Sequence, residues 1–453
     1  MIPPHKDFQL IHHGMAYAAG DLAQIQRELR RRLRELGLQP GMTLACRFRD
    51  RFLYAQLLFL LPRMGCLFLP LDPDLPPAVS RELLSAAGPH VLIEEAALLE
   101  NTVGDTFSTE GEYPLNPREP SLLLATSGTT GEPRLVELTG EGLQRSAQAA
   151  CDFLQLKKKD RWLACLPLHH IGGLSILLRC AWCGAAAVLV DEFSPGQVLQ
   201  ELHEHRITHL SLVPAMLYRL LEEKTAPPAS LRVVLLGGAS SSQALVDEAM
   251  GKGWPVCPSY GLTEAASQVA TVYPPDPDWR QGEAGAPLPH MEVEVGESTG
   301  AIRIRGVSVA RYCREAAQVR SFLLDARGWL DTGDVGWLDE AGCLHVTGRR
   351  DDVLISGGEN IHPAVVEAVF SDCPGVAQAA VTAVDDPRWG DALVLLYQGP
   401  ARYETVRRWA RDRLRAGFRP RHIFHVEELP RNSLGKLLRG ELKRLAREQL
   451  QDA

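Results

Sequence analysis

Between Cys66 and Leu236 short apolar runs alternate with longer helix-like ones, and this alternation constrains the fold more than any other feature. The runs at 66–71, 90–94, 122–126, 162–166, 186–190, 209–213 and 233–236 have the length and composition of buried strands. Strands separated by helices pair in parallel through crossovers, so the bulk of the chain is expected to be α/β. At 453 residues it is also too long for one hydrophobic core, and two or more domains are expected.

Outside that region the texture changes. Near the N-terminus, Leu22, Ile25, Leu29, Leu33 and Leu36 fall on one face of a helix over 21–37, with Asp21 placed to cap it and Gly37 to end it. The basic cluster Arg30, Arg31, Arg32 and Arg34 falls largely on the other face, which reads as solvated rather than as a nucleic-acid surface. After about Gly282, short strands at 291–295, 301–305, 336–338 and 343–346 are separated by Gly-containing turns, the pattern of an antiparallel, barrel-like unit. Beyond Arg349 a smaller α+β unit is expected. Pro363 opens a helix there, strands run over 376–384 and 393–397, and a helix over 437–450 closes the chain.

The net charge of −8 argues against a polyanionic partner, and no uninterrupted apolar run reaches membrane-spanning length. The run from Tyr54 to Leu71 comes nearest and is broken by Pro62, Arg63 and Gly65. Residues 1–7 lack a signal peptide's apolar segment, and ten cysteines lie scattered without a framework. A cytoplasmic protein with reduced thiols is expected. Cys180 and Cys183 have metal-like spacing but no second pair nearby, so buried thiols are the simpler expectation. His203, His205 and His209 read as surface and strand histidines rather than as a metal cluster, and 157–160 as a solvated turn.

One loop carries chemistry. Thr126, Ser127, Gly128, Thr129, Thr130 and Gly131 are all hydroxylic or glycine and follow an apolar strand, with Pro133 and Arg134 just beyond. Glycines let the backbone N–H groups approach a ligand, and hydroxyls add donors, so the stretch has the materials of a phosphate nest. It lacks the Gly-Lys-Ser/Thr of a nucleoside-triphosphatase loop. Taken alone it is as well read as a polar turn.

Its company further along decides. Tyr260, Gly261, Leu262, Thr263 and Glu264 are followed by Thr332, Gly333 and Asp334, then by the run 348–352, and lastly by Lys436 after Gly435. This ordered set resembles the adenylate-forming superfamily of acyl-CoA synthetases, luciferases and adenylation domains, over nearly the whole chain. The resemblance implies a large N-terminal domain, 1–349, of doubly wound parallel-type sheets with a small barrel at about 282–348. A small mobile α+β domain, 350–453, would follow. It also implies a two-step reaction. A carboxylate attacks the α-phosphorus of ATP, releasing pyrophosphate, and a thiol then displaces AMP from the acyl-adenylate. Two anions must meet in the first step, so fixed positive charge at the phosphorus is needed.

By the same resemblance Lys436 is the adenylation lysine and Thr263 touches the α-phosphate. Glu264, with Thr130, binds magnesium. Residues 126–131, Arg134, Gly238, Ala239, Ser259, Tyr260 and Gly261 surround ATP, with Tyr260 stacked on adenine. Asp334 accepts the ribose hydroxyls and Arg349 is a second ribose contact. Asp351 is the hinge about which the small domain turns, and Gly357 and Gly358 face the CoA side. One departure stands out, because the family's phosphate loop ordinarily ends in Lys and position 134 is Arg. Arg keeps the charge but replaces a point ammonium with a planar fork.

The acid is expected in a pocket built from His170, Gly172, Ser211, Pro214 and Gly237, with His170 gating the thiol tunnel. No Asp lies between Leu166 and Ile176 to hold an α-ammonium, which argues against an amino acid. The runs 69–76, 211–221 and 234–240, with the short chain, resemble the o-succinylbenzoate–CoA ligase group of menaquinone biosynthesis. A ligase for another aryl or medium-chain acid, a loader of a carrier protein and a non-catalytic nucleotide-binding relative are the alternatives. The second carboxylate of such an acid would need a cationic or donor-rich end to the pocket. The partners implied are a small carboxylic acid, ATP with Mg2+, and CoA, with neither nucleic acid nor membrane insertion. Oligomeric state is left open.

Overall fold

A computed structural model describes residues 4–94, 116–127, 133–315, 319–356, 359–386, 390–431, 435 and 437–451. Among these residues the strands form three sheets. The largest has at its centre the parallel strands Val256–Leu262, Val233–Leu236, His209–Leu212, Arg161–Ala164 and Ala186–Leu189, four of them almost wholly buried. Helices Ile171–Cys183, Pro195–Glu204, Pro214–Glu222 and Gln243–Gly251 make the connections. This is the expected α/β arrangement, with apolar runs where both faces of the sheet are covered.

At one edge the hairpin Gln9–His12 and Met15–Ala18 joins in parallel beside Ala186–Leu189. The sequence reading had no strand there, because each partner is only four residues long. At the other edge Val256–Leu262 turns into Ser267–Thr271 and the sheet becomes antiparallel, continuing through Glu283–Pro287, Leu344–Arg349, Leu330–Leu338, Ala301–Gly306 and Met291–Val295. The second sheet runs Arg320–Phe322, Tyr312–Arg314, Pro133–Thr139, Pro120–Ser127, Leu67–Pro70, Thr43–Cys46 and His90–Ile93. The third contains Glu359–Ile361, Leu354–Ser356, Gly390–Gln398 and Gln378–Asp386, with His422–His425 alongside Gly390–Gln398. It packs against Pro363–Ser371 and Arg439–Gln451 around its own apolar clusters.

Buried polar side chains tie strand ends to helices. Arg51 opens the helix Arg51–Leu60 and donates to the carbonyls of Ala164 at 2.9 Å and Leu166 at 2.6 Å. Tyr54, one turn later, donates to Cys46 O at 2.8 Å and Leu71 O at 3.1 Å. The carbonyls just past those strands thus find partners away from water, and the segment leading to His170 is held rigidly.

Two local readings change. The first long helix is Ala19–Glu35, and Asp21 lies inside its first turn, accepting from Ala18 N–H at 2.9 Å, rather than at the cap. Its basic face is ion-paired, with Arg31 meeting both Glu28 and Glu35. Asp160, expected in a solvated turn, is buried and accepts from Arg232 Nη2 at 2.7 Å. All ten cysteines are free. No described helix is long and apolar enough to cross a membrane.

Candidate active site

The strand Val256–Leu262 leaves the large sheet at its carboxyl end, where open α/β sheets place ligands, and runs into the single turn Thr263–Ala265. Ser259, Tyr260, Gly261, Thr263 and Glu264 therefore lie in one short span. Only glycine fits at 261, since a Cβ there would stand 2.1 Å from Ser267 O. That close approach lets the chain fold back as Ser267–Thr271, where Ser259 Oγ donates to Ala270 O at 3.1 Å. Gly237 sits against the same strand; a Cβ on it would come within 3.0 Å of Ser259 O. Its N–H donates to Leu212 O at 3.1 Å, so the 237–239 segment is held between strands carrying Ser211 and Ser259.

Three of the proposed nucleotide residues meet directly. Tyr260 donates its hydroxyl to Asp334 Oδ2 at 2.6 Å, and Arg349 Nη1 donates to Asp334 Oδ1 at 3.2 Å. The two bonds reach different oxygens of the Asp334 carboxylate and fix its orientation. Burial and the Asp334 charge push the Tyr260 phenol well above its ordinary pKa, so it remains a donor. Strands Leu330–Leu338 and Leu344–Arg349 align Asp334 opposite Arg349. Asp351 follows in an exposed one-turn helix, with its carboxylate 3.8 Å from Arg349 Nη2.

The phosphate side is a hairpin. Pro120–Ser127 pairs antiparallel with Pro133–Thr139, setting Thr126 opposite Arg134. Gly128, Thr129, Thr130 and Gly131 lie outside the described residues. Thr126 Oγ1 is buried with no partner among the described residues. Arg134 Nη2 meets Glu264 Oε1 at 3.0 Å, which joins the two sheets at this point. Glu264 is the carboxylate that could hold magnesium, and a nearly buried carboxylate completed by phosphate and water oxygens suits that ion.

His170 stands at the N-cap of Ile171–Cys183, its ring 4.4 Å from His169, which in turn lies 3.4 Å from Asp72. Burial first, then the His169 charge, pulls His170 down to about 3, so it is neutral at ordinary pH. Gly172 follows in the first turn, and Pro214 opens Pro214–Glu222. Ser211 is buried and its hydroxyl accepts from the Trp162 indole at 3.1 Å. Lys436, Gly357 and Gly358 lie outside the described residues. Gly435 is described, with φ of 72°, and a Cβ there would be 3.2 Å from Ala215 Cβ. The chain just before Lys436 is thus laid against the segment that begins at Pro214.

The sequence reading missed Arg179. It lies in the last turns of Ile171–Cys183, only 1% exposed, over the Trp162 ring at 5.2 Å. Its Nη2 donates to Ser267 Oγ at 2.9 Å, and Ser267 reaches Ser175 Oγ at 3.3 Å. Its Nε has no partner, and no carboxylate pairs with it among the described residues. His290, whose protonation burial and then the Arg179 charge oppose, has both ring nitrogens buried without partners among the described residues. The signal was present as one charge in an otherwise apolar helix.

The histidines considered for metal do not cluster. His205 pairs with Glu201 at 3.3 Å, and His209 is buried with Nδ1 2.8 Å from Thr208 Oγ1. His12 and His13 do share Asp191, at 2.9 and 2.7 Å, but their rings stack 3.9 Å apart and the two nitrogens stand side by side on the carboxylate.

Comparison with known proteins gives two family matches, the AMP-binding enzyme family over residues 7–312 and the AMP-binding enzyme C-terminal domain over 365–436. The chain is 39% identical to the 2-succinylbenzoate–CoA ligase of Bacillus subtilis over 333 residues, covering 71% of this chain and 68% of that one. It is 38% identical to the Bacillus pumilus enzyme of the same name over 346 residues, covering 74% and 70%. Among solved structures it resembles the o-succinylbenzoate CoA synthetase of Bacillus subtilis with its acyl-adenylate intermediate. That match has a TM-score of 0.86 at 30% identity, over 96% of this chain and 94% of that one. The same enzyme with ATP and magnesium gives 0.85 at 30% identity, over 96% of each chain.

Proposed function

The chain belongs to the AMP-binding enzyme family, and from that premise we propose that it joins 2-succinylbenzoate to coenzyme A at the expense of ATP. In the first half-reaction one carboxylate oxygen of the acid bonds to the α-phosphorus, and the bond to pyrophosphate breaks. In the second, the CoA thiol gives up its proton, its sulfur bonds to the acyl carbon, and AMP leaves. The first half turns a poor acyl donor into a good one.

Each residue then has a task. Asp334, oriented by Tyr260 and Arg349, receives the ribose. Thr126, Thr263 and Arg134 face the phosphates, where charge develops as the phosphorus becomes pentavalent. Magnesium, when bound, neutralises phosphate charge, and Glu264 would hold it. Lys436 would bridge carboxylate and α-phosphate, delivered by the chain that Gly435 lays against Ala215. His170, kept neutral by burial, lines the acyl side without adding charge to it.

The observation that carries the choice of acid is the match, over almost the whole chain, to an enzyme that holds the acyl-adenylate of this acid, and Arg179 is the residue we assign to its second carboxylate. A fully buried guanidinium without a carboxylate is costly, and the second carboxylate of 2-succinylbenzoate is the counter-charge it lacks. The test is incubation with ATP, Mg2+ and CoA across a panel of acids. The thioester of 2-succinylbenzoate should form by mass, with AMP and pyrophosphate. Turnover of monocarboxylic aryl acids in its place, or thioester formation only on a phosphopantetheinyl carrier protein, would replace this reading.

A further inference from the structure

Arg134 occupies the position where the phosphate loop of this family ordinarily carries Lys, and it makes a contact the sequence did not suggest. Its Nη2 lies 3.0 Å from Glu264 Oε1, with the Arg side chain 24% and the Glu side chain 12% exposed. The Arg134 Nε is buried and has no partner among the described residues, so the guanidinium is engaged only along one edge. Strand pairing of Arg134 with Thr126 fixes where that side chain starts, and the rigid turn Thr263–Ala265 fixes Glu264. The pair is therefore a built contact between two sheets.

We infer that Arg134 is a latch on the metal carboxylate: without nucleotide it holds the Glu264 oxygen that a divalent cation needs, and it lets go when a triphosphate offers the guanidinium another anion. This rests on the reading of Glu264 as the magnesium ligand. Arginine suits the role because it is charged at every working pH and less strongly hydrated than an ammonium, so it stays on a largely buried carboxylate. Magnesium sheds its water reluctantly. To bind alone it would have to displace the guanidinium and leave two cations beside one carboxylate. Arriving with ATP, it meets a site in which the β- and γ-phosphate oxygens have drawn Arg134 away. Metal and nucleotide are thereby coupled, each strengthening the other by the same factor. The latch also keeps bare divalent cations out of the empty site.

The experiment titrates Mn2+ into the full-length protein and follows the free-ion signal by electron paramagnetic resonance, with and without α,β-methylene-ATP. Wild type should bind Mn2+ at least about tenfold more weakly than Arg134→Gln when nucleotide is absent. The gap should shrink or reverse when the analogue is present. Arg134→Leu serves as a second variant, with near-native melting required of whichever is used. Equal Mn2+ affinity of wild type and Arg134→Gln without nucleotide overturns the latch, provided Glu264→Gln still weakens Mn2+ binding in the presence of the analogue. If Glu264→Gln leaves that binding unchanged, the assignment of Glu264 itself fails, and the latch with it.

Discussion

Arg179→Met is the sharpest test of the acid pocket. Burial has drawn the guanidinium down from its ordinary value to about 10. At about 1.36 kcal/mol for each tenfold change, holding that charge in the empty protein costs on the order of 3 kcal/mol. The bond to Ser267 and the contact with Trp162 offset part of this. Methionine fills similar volume without charge, so the ligand-free variant should melt no lower than wild type, and higher if the offset is small. A substrate carboxylate recovers the desolvation loss on binding, which corresponds to roughly a hundredfold in kcat/KM. The assay is pyrophosphate release with 2-succinylbenzoate and with 4-oxo-4-phenylbutanoate, which lacks the ring carboxylate. Wild type should prefer the dicarboxylate by about two orders of magnitude, and Arg179→Met should lose that preference while its rate on the monocarboxylate changes little. Equal loss on both acids, or a preference that survives the substitution, refutes the assignment.

Other consequences follow from the same geometry. Tyr260→Phe removes the 2.6 Å hydrogen bond to Asp334, a bond to a charged group worth about 1.5–3 kcal/mol that is present without nucleotide, so the variant should melt lower and, with Asp334 less firmly oriented, bind an ATP analogue more weakly by calorimetry. Gly435→Ala places a Cβ at positive φ and 3.2 Å from Ala215; the strain of about 1–2 kcal/mol should slow adenylate formation while sparing thioester formation from supplied acyl-adenylate. Lys436→Ala should abolish the first half-reaction and leave the second mostly intact in the same pair of assays. Burial holds His170 near 3 and His209 near 4, so both stay neutral in the fold while the unfolded chain takes up protons below about 6.5. Their stabilisation is complete above that pH and is lost as pH falls towards the folded values. For the fully buried His209 the loss by pH 5 is on the order of 2 kcal/mol, readable as a falling melting temperature that His209→Gln should flatten.

The parallel strands were legible because their apolar runs are continuous, which happens only when both faces are covered; 233–236 was located to the residue. The nucleotide motifs were legible for another reason. Tyr260, Thr263 and Glu264 fall within five residues, because a strand end and its turn are contiguous in the chain. What stayed hidden is what the fold assembles from afar. The hairpin Gln9–His12 and Met15–Ala18 gains its place from pairing with Ala186–Leu189, nearly two hundred positions away, and four residues carry too little pattern to announce it. Arg179 meets Ser267 across 88 positions and Arg134 meets Glu264 across 130.

Those two long-range contacts differ in a way that bears on function. Arg134 has a carboxylate in hand, whereas Arg179 has the Ser267 hydroxyl, an aromatic face and the Cys180 thiol, which burial keeps protonated. In a chain of net charge −8 there is no shortage of carboxylates to pair with a buried cation. Since a buried charge is stable only when matched, an unmatched Arg179 beside a matched Arg134 agrees with the proposal that the two arginines serve different anions. The triphosphate must compete with Glu264 for its arginine, and the acid finds its arginine already free of any carboxylate. Affinity for the acid should therefore be nearly independent of Mg2+, while affinity for ATP should depend on it steeply; calorimetric titrations of each ligand with and without Mg2+ decide between this and a site in which both ligands respond to the metal alike.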